Sequence, residues 1–192
     1  MKKIVLTLLL GACTLFNYAQ EFPKMDKSVM DASYFPENAT KRAFIKDKEK
    51  QLEAEPKIRV LYSRPLKKGR TIFGDVVKFG EAWRIGANES TEILFLTDVV
   101  FGGTNVKAGR YTLIAIPTEK EWTIKLNTVN DGWGNYSYDP AFDIATVTIP
   151  TSNSDAEIEA LSIVLYEKSK NVAHIKIGWD KTVAEIPVTL NK

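Results

Sequence analysis

The densest chemical segment of the chain is Trp83-Arg84-Ile85-Gly86-Ala87-Asn88-Glu89, which sets an indole, a guanidinium, an amide and a carboxylate around one glycine. A planar donor fork next to an acceptor and a stacking surface suits a carboxylate, a sugar or a peptide terminus. The same residues also have a purely structural use. Arg84 can pair with Glu89 or Glu81, Asn88 can satisfy turn backbone, and Trp83 can be core, since irregular connections in β-proteins spend polar side chains on their own backbone. A second block, Tyr62-Ser63-Arg64-Pro65, stands at the end of an apolar run, where the proline forces an extended exit from Arg64. Tyr62 and Arg64, with Arg70, can contribute to the same pocket, or Arg64 can be a plain surface charge.

A third block runs from Asn130 to Asp139 and holds Trp133, Tyr136 and Tyr138 among oxygen-bearing side chains. That composition is used by carbohydrate binders, and equally by Gly-rich hairpin loops that pack their own aromatics. It is not a calcium loop, because the alternating oxygen ligands and terminal glutamate are missing. The remaining inventory argues against most catalysis. His174 is the single histidine and falls on the polar side of its strand, so no second imidazole exists for zinc and no triad has a spare base. No Gly-x-Ser-x-Gly elbow accompanies it. Gly69 and Gly74 lack the partners of a phosphate-cradling loop. A carboxylate pair for glycoside hydrolysis stays open, because sequence spacing does not fix the separation of acidic groups. No cofactor or metal is expected.

The N-terminus reads as an export signal. Lys2 and Lys3 precede the apolar run Ile4 to Leu10, and Asn17-Tyr18-Ala19 ends in a small residue suited to cleavage. This predicts a signal peptide over residues 1–20 and a periplasmic or extracellular product. The alternative is a lipoprotein, since Leu10-Gly11-Ala12-Cys13 resembles a lipobox and would anchor the chain through Cys13. Either processing leaves no disulfide, which fits a bacterial envelope better than a eukaryotic secretory pathway. Nothing after residue 20 approaches the roughly 20 apolar residues of a membrane helix. The chain carries 26 Lys and Arg against 24 Asp and Glu, and without residues 1–20 the two sets balance. A neutral domain lacks the basic footprint that nucleic acid demands.

These blocks must be held by strands. With 44% apolar and 26% charged residues, the 192-residue chain suits one domain burying roughly 70% of its unfolded surface. After Pro56 the period is two: Trp122, Ile124 and Leu126 alternate with polar residues, as do Ile58, Val60 and Tyr62, Ala145 to Ile149, Leu161 to Leu165, and Ala173 to Trp179. Turn signals punctuate them at Gly102-Gly103, Ala108-Gly109, Pro117 to Glu121, Ser169 to Asn171 and Asp180-Lys181. The pattern predicts an all-β, antiparallel, Greek-key-like β-sandwich of seven or more strands over residues 57–192. The continuous run Ile93 to Leu96 reads as a strand covered on both faces or lying beneath the N-terminal arm. Pro187 puts the last strand at an edge. Tyr111, just after a turn, is either a tyrosine corner or an ordinary strand residue. Residues 21–56 read as an N-terminal arm, either irregular or folded into a short surface helix capped near Asn38.

Tyr62-Ser63-Arg64-Pro65, Lys68-Gly69-Arg70-Thr71-Ile72-Phe73-Gly74 and Trp83 to Glu89, with Ala108-Gly109-Arg110-Tyr111 and Trp122 downstream, together resemble domain of unknown function family 2911 over about residues 22–150. The resemblance implies an exported single-domain protein of Bacteroidota-like Gram-negative bacteria and brings no activity, cofactor or catalytic residue with it. Two functions remain. One is a binding or interaction module for a small polar ligand, glycan or envelope partner through Tyr62, Arg64, Trp83, Arg84, Asn88, Glu89 and Trp133. The other is an envelope hydrolase working with carboxylates such as Glu89.

Overall fold

A computed structural model describes residues 21–191. The expected signal peptide and Cys13 lie outside them. Nine strands follow in chain order: β1 (Met30–Phe35), β2 (Ile58–Ser63), β3 (Glu92–Phe95), β4 (Val99–Phe101), β5 (Thr104–Val106), β6 (Gly109–Pro117), β7 (Glu121–Asn127), β8 (Asp143–Ser169) and β9 (Val172–Leu190). All pairings are antiparallel, and the strands form one sheet in the order β1-β2-β3-β6-β7-β8-β9-β4-β5. The all-β antiparallel expectation holds.

Alternation does what was expected of it. Ile124 and Ile175 are fully buried, as are Ile58, Val60, Ile93, Leu113, Trp122 and Leu161, in a single core cluster. Each such side chain contributes roughly 1.5–3 kcal/mol on burial.

The sheet curls because β8 serves two neighbours. Its first residues pair with β7 up to Pro150, and from Thr151 onward it pairs with β9. Register shifts flank Ile158, opposite Asp180 at φ 57°. Asp180-Lys181 is therefore not a turn but a kink inside β9. A short polar residue tolerates the left-handed region, and a bulge bends a strand without ending its ladder. Beyond β2 the chain reaches the open edge of β8: Leu66 bridges Ala160, Lys67 N–H donates to Glu159 O at 2.7 Å, and Leu161 N–H donates to Pro65 O at 3.0 Å.

Four further expectations are corrected. Pro187 does not mark an edge, since β9 lies between β8 and β4. The proline is exposed between the last β8 partner, Ala184, and the first β4 partner, Val188, where no ladder needs its missing N–H. The Ile93–Leu96 run is buried on one face only, with Leu94 on the outer face between Arg59 and Arg110 and Leu96 exposed. Met30–Phe35, which has no clear period, nonetheless forms β1 on β2. The short α-helix of the arm, α1 (Lys48–Glu53), is capped by Asp47, which accepts from Glu49 and Lys50 N–H at 2.9 and 3.2 Å. Asn38 precedes only a 3-10 helix, Ala39–Phe44, with no side-chain cap. The Tyr111 hydroxyl donates to Lys107 O at 3.0 Å, the upstream bond of a tyrosine corner.

The loop joining β7 to β8 is tied down at its end by Asp143. Its carboxylate accepts from Lys125 Nζ at 2.6 Å, Asn127 Nδ2 at 2.8 Å and the Tyr138 hydroxyl at 2.9 Å. Burial alone would raise its pKa, but these donors outweigh burial and hold it below the ordinary carboxylate range. A depressed folded-state pKa gives stability that is present above the unfolded value, about 3.9, and lost as pH falls through the folded one. Asp143→Ala is expected to cost about 1–3 kcal/mol at neutral pH. In thermal melts its deficit against wild type should shrink below about pH 4. A deficit unchanged down to strongly acidic pH would show that the charge is irrelevant.

Candidate functional site

Residues 64–91 join β2 to β3 without a regular strand of their own. Long excursions of this kind inside a compact fold are uncommon and usually carry function. Buried Ile72, Val77, Trp83 and Ile85 pin this one to the core. Trp83 is fixed on its backbone as well, donating to Ala115 O at 2.7 Å and accepting from Ala115 N–H at 2.9 Å. Its indole, 7% exposed, meets Phe73 and Trp122 edge-on, each at 5.5 Å, and stacks with Trp179 at 6.2 Å.

Past Trp83 the backbone is strained into a hook. Ile85 has φ 53° and Asn88 φ 59°. For a β-branched residue this is a true outlier that the surroundings must enforce. Buried Thr91 does so by donating to Ile85 O at 2.9 Å. Gly86 suits the close packing here, because a Cβ would sit tightly, 3.1 Å from Thr91 Oγ1 and 3.2 Å from Ser63 O. The hook projects Arg84 between its own turn and the loop after β7. Arg84 donates to Asn88 O at 2.6 Å, and its guanidinium carbon lies 5.6 Å from the centre of the Tyr136 ring. Gly134, at φ +62°, lets that loop settle onto the arginine, since a Cβ there would fall 2.3 Å from Arg84 Cδ and 2.5 Å from Nε. Ser90 N–H and hydroxyl both donate to Gly132 O, at 3.0 and 3.1 Å. Arg110 holds Asp131 through two bonds of 2.8 and 2.7 Å.

The hook and the loop enclose a cleft of about 520 Å³, inside the range of small-molecule sites. Trp83, Arg84, Asn88 and Trp133 line it, joined by Tyr136 and Trp179. Trp133 is 54% exposed and Tyr136 81%. Arg70 and Lys78 add positive charge to the lining and Glu81 negative. Among the described residues Arg84 has no carboxylate partner, so neither Glu81 nor Glu89 pairs with it. At the rim, Asn88 Nδ2 donates to Asp26 at 3.0 Å. The Ser28 backbone N–H and this amide hold the Asp26 carboxyl below its usual range.

Tyr62, Arg64 and Glu89 stand elsewhere. Tyr62 is 3% exposed and its hydroxyl accepts from Ile163 N–H at 3.0 Å. Arg64 spends its donors on Leu161 O, Asp31 Oδ2 and Ser162 Oγ, each at 3.0 Å. Glu89 is exposed and lies in a separate groove with Ser90, Asn130 and Asp131. His174 is also remote, on the outer face of β9, where Glu185 accepts from Tyr166 at 2.6 Å and lies 3.3 Å from His174 Nδ1. That bond to Glu185 pushes the Tyr166 hydroxyl up to about 12. Lys78 carries no signal in the sequence, Trp179 reads there as the end of a core strand, and Tyr136 reads only as one aromatic of the block from Asn130 to Asp139.

A family model described as "Protein of unknown function (DUF2911)" matches residues 46–188. The chain belongs to this family. The match runs past the blocks that suggested it, through β8 and most of β9, so the DUF2911 region includes every strand of the fold except β1. No curated protein and no solved structure matches the chain. Among the described residues of this DUF2911 chain, no helix is long and apolar enough to cross a membrane, and no group of three or more His, Cys, Asp or Glu is placed to hold a metal ion.

If Gly134 is needed because Arg84 occupies the space of a side chain, Gly134→Ala and Arg84→Ala should couple. Gly134→Ala is expected to destabilise more than Gly103→Ala, which has φ +82° but nothing within 4 Å. The excess should vanish in the Arg84→Ala background, a coupling of about 0.5–2 kcal/mol in denaturant melts. Strict additivity would mean that only the backbone conformation demands glycine.

Proposed function

We propose that this domain is a binding module that takes a small polar ligand, a glycan unit or a segment of a partner chain into the cleft between Arg84 and the Trp133–Tyr136 loop. The observation that supports it is the half-buried Arg84 guanidinium, held by one carbonyl and one aromatic ring and without a carboxylate partner among the described residues. Arg59, Arg64 and Arg110 are paired with carboxylates, whereas Arg42 and Arg70, like Arg84, bond only backbone carbonyls among the described residues, and of these three only Arg84 also lies beneath an aromatic ring. A cation left short of an anion beside exposed aromatic surface is the arrangement of a site awaiting a ligand. The hydrolase reading finds no comparable support, since Glu89 is exposed and outside this cleft.

We further propose that the module works outside the cytoplasm, on the strength of Lys2, Lys3 and the apolar run from Ile4 to Leu10. Mass spectrometry of the protein recovered from its native envelope is expected to give a chain cleaved near residue 20, beginning at Gln20 or Glu21. An acylated chain beginning at Cys13 would replace the soluble form with an anchored one.

The ligand reading is tested by thermal shift against neutral and acidic oligosaccharides, free peptides and small carboxylates. A ligand at about 100 times its Kd stabilises by about 2.7 kcal/mol, a rise of several degrees for a domain of this size. Arg84→Ala and Trp133→Ala should each remove the rise, while Glu89→Ala keeps it. Loss with Glu89→Ala alone would transfer the function to the other groove and revive the hydrolase.

A further inference from the structure

Resting on the reading of this cleft as a ligand site, we infer that its ligand is an acidic sugar, a pyranose carrying a carboxylate as in a uronate-containing glycan. Charge gives the first argument. Arg70, Lys78 and Arg84 line the cleft against the carboxylate of Glu81, with the Asp26 carboxylate bonded to Asn88 at the rim, which leaves three cations against two anions. Arg70 is fastened to its own turn through Lys67 O and Leu66 O, at 2.9 and 2.7 Å, bonds that place the cation without neutralising it. Lys78 reaches only Asp75, at 3.7 Å and in solvent, where such a pair counts for little. Arg84 uses NH1 on Asn88 O, and neither Nε nor NH2 has a hydrogen-bond partner among the described residues. Two donors on one planar group match a carboxylate better than a hydroxyl.

The second argument is the kind of apolar surface present. Apart from Val76, Val77 and Pro65, the large apolar groups of the lining are aromatic: Trp133 and Tyr136 are exposed enough to present a ring face, while Trp83 and Trp179 are buried beneath them in the core. The C–H face of a pyranose is weakly positive and lies well against the negative face of an aromatic ring. Amides of Asn88 and Asn135 and the Ser28 hydroxyl stand beside them as partners for sugar hydroxyls. A peptide would instead look for an unpaired strand edge. The backbone here offers none at Trp83, whose N–H and C=O are both spent on Ala115.

The test uses isothermal titration of the mature protein with three probes: the trimer of galacturonate, the neutral trimer of glucose, and a tripeptide with a free C-terminus alongside its amide. The acidic trimer is expected to bind more tightly than the neutral one by about tenfold or more. Arg84→Ala should erase that preference, rising salt should weaken it, and Lys107→Gln, an exposed charge outside the cleft, should leave it intact. Equal binding of the two sugars, or an unchanged preference in Arg84→Ala, would overturn the acidic assignment while leaving a ligand site in place. Binding of the free-acid peptide with no binding of the acidic trimer would overturn the sugar. If no probe binds, the inference fails, and the wider melting-temperature panel decides separately whether the cleft binds anything.

Discussion

The seam between the end of β2 and the outer edge of β8 is the constraint on which the other features depend. Without it the C-terminal half of β8 would present an unpaired row of donors and acceptors to solvent, a hazard that sheet proteins avoid. With it, Pro65 and Lys67 take up Leu161 and Glu159, and Tyr62 reaches across to Ile163. Arg64 then bonds β8 twice and β1 once, joining strands that are distant in the sheet order. The curl is thus closed by hydrogen bonds as well as by the dry interior that Ile58, Val60 and Ile163 share.

That closure also decides where the cleft is. The chain leaves the seam after Lys67 and does not re-enter the regular ladder until Glu92. In between it must return to the sheet at Trp83, opposite Ala115, because the segment's buried residues have no other core to join. The span from seam to return thereby brings Arg70, Lys78 and Glu81 into one cleft with Trp133 and Tyr136 of the loop that follows β7. Both sides of the cleft are anchored, each in a different way. One is held by buried aromatic packing, the other by the Asp143 network and the Arg110–Asp131 fork. Positioning of functional groups on loops depends on such anchoring.

The extent to which all this is legible in the sequence follows from range. Trp122, Ile124, Leu126 and Ile175 are readable because alternation is a local property and the inward face is set by period two. Met30–Phe35 is not, since its place in the sheet comes from pairing with β2 and its own residues carry little pattern. Asp180 shows why a turn signal is ambiguous: the same tolerance of positive φ that permits a hairpin permits a kink. In the candidate site, Trp83 to Glu89 stood out by composition alone, yet Arg64 and Arg84 look equivalent in sequence. What separates them is a register 97 residues away, in which Leu161 and Ser162 meet one arginine and not the other. Lys78, Tyr136 and Trp179 join the cleft from three separate stretches of chain, a convergence that no local pattern records.

The contrast between those two arginines carries the argument furthest. A guanidinium is costly to bury and is normally accompanied by carboxylates that offset the loss of water. Arg64 follows the rule. Arg84 departs from it, and the departure is built in: Ile85 and Asn88 hold left-handed backbone, Gly134 gives up a side chain, and Tyr136 supplies its ring. Cation–π contact and one carbonyl satisfy part of the group's demand, and its remaining donors are open to solvent. A sequence selected for stability alone would have little reason to keep three unfavourable local choices around one unpaired charge. Local inconsistency of this kind is expected where a fold has been shaped by something it must hold.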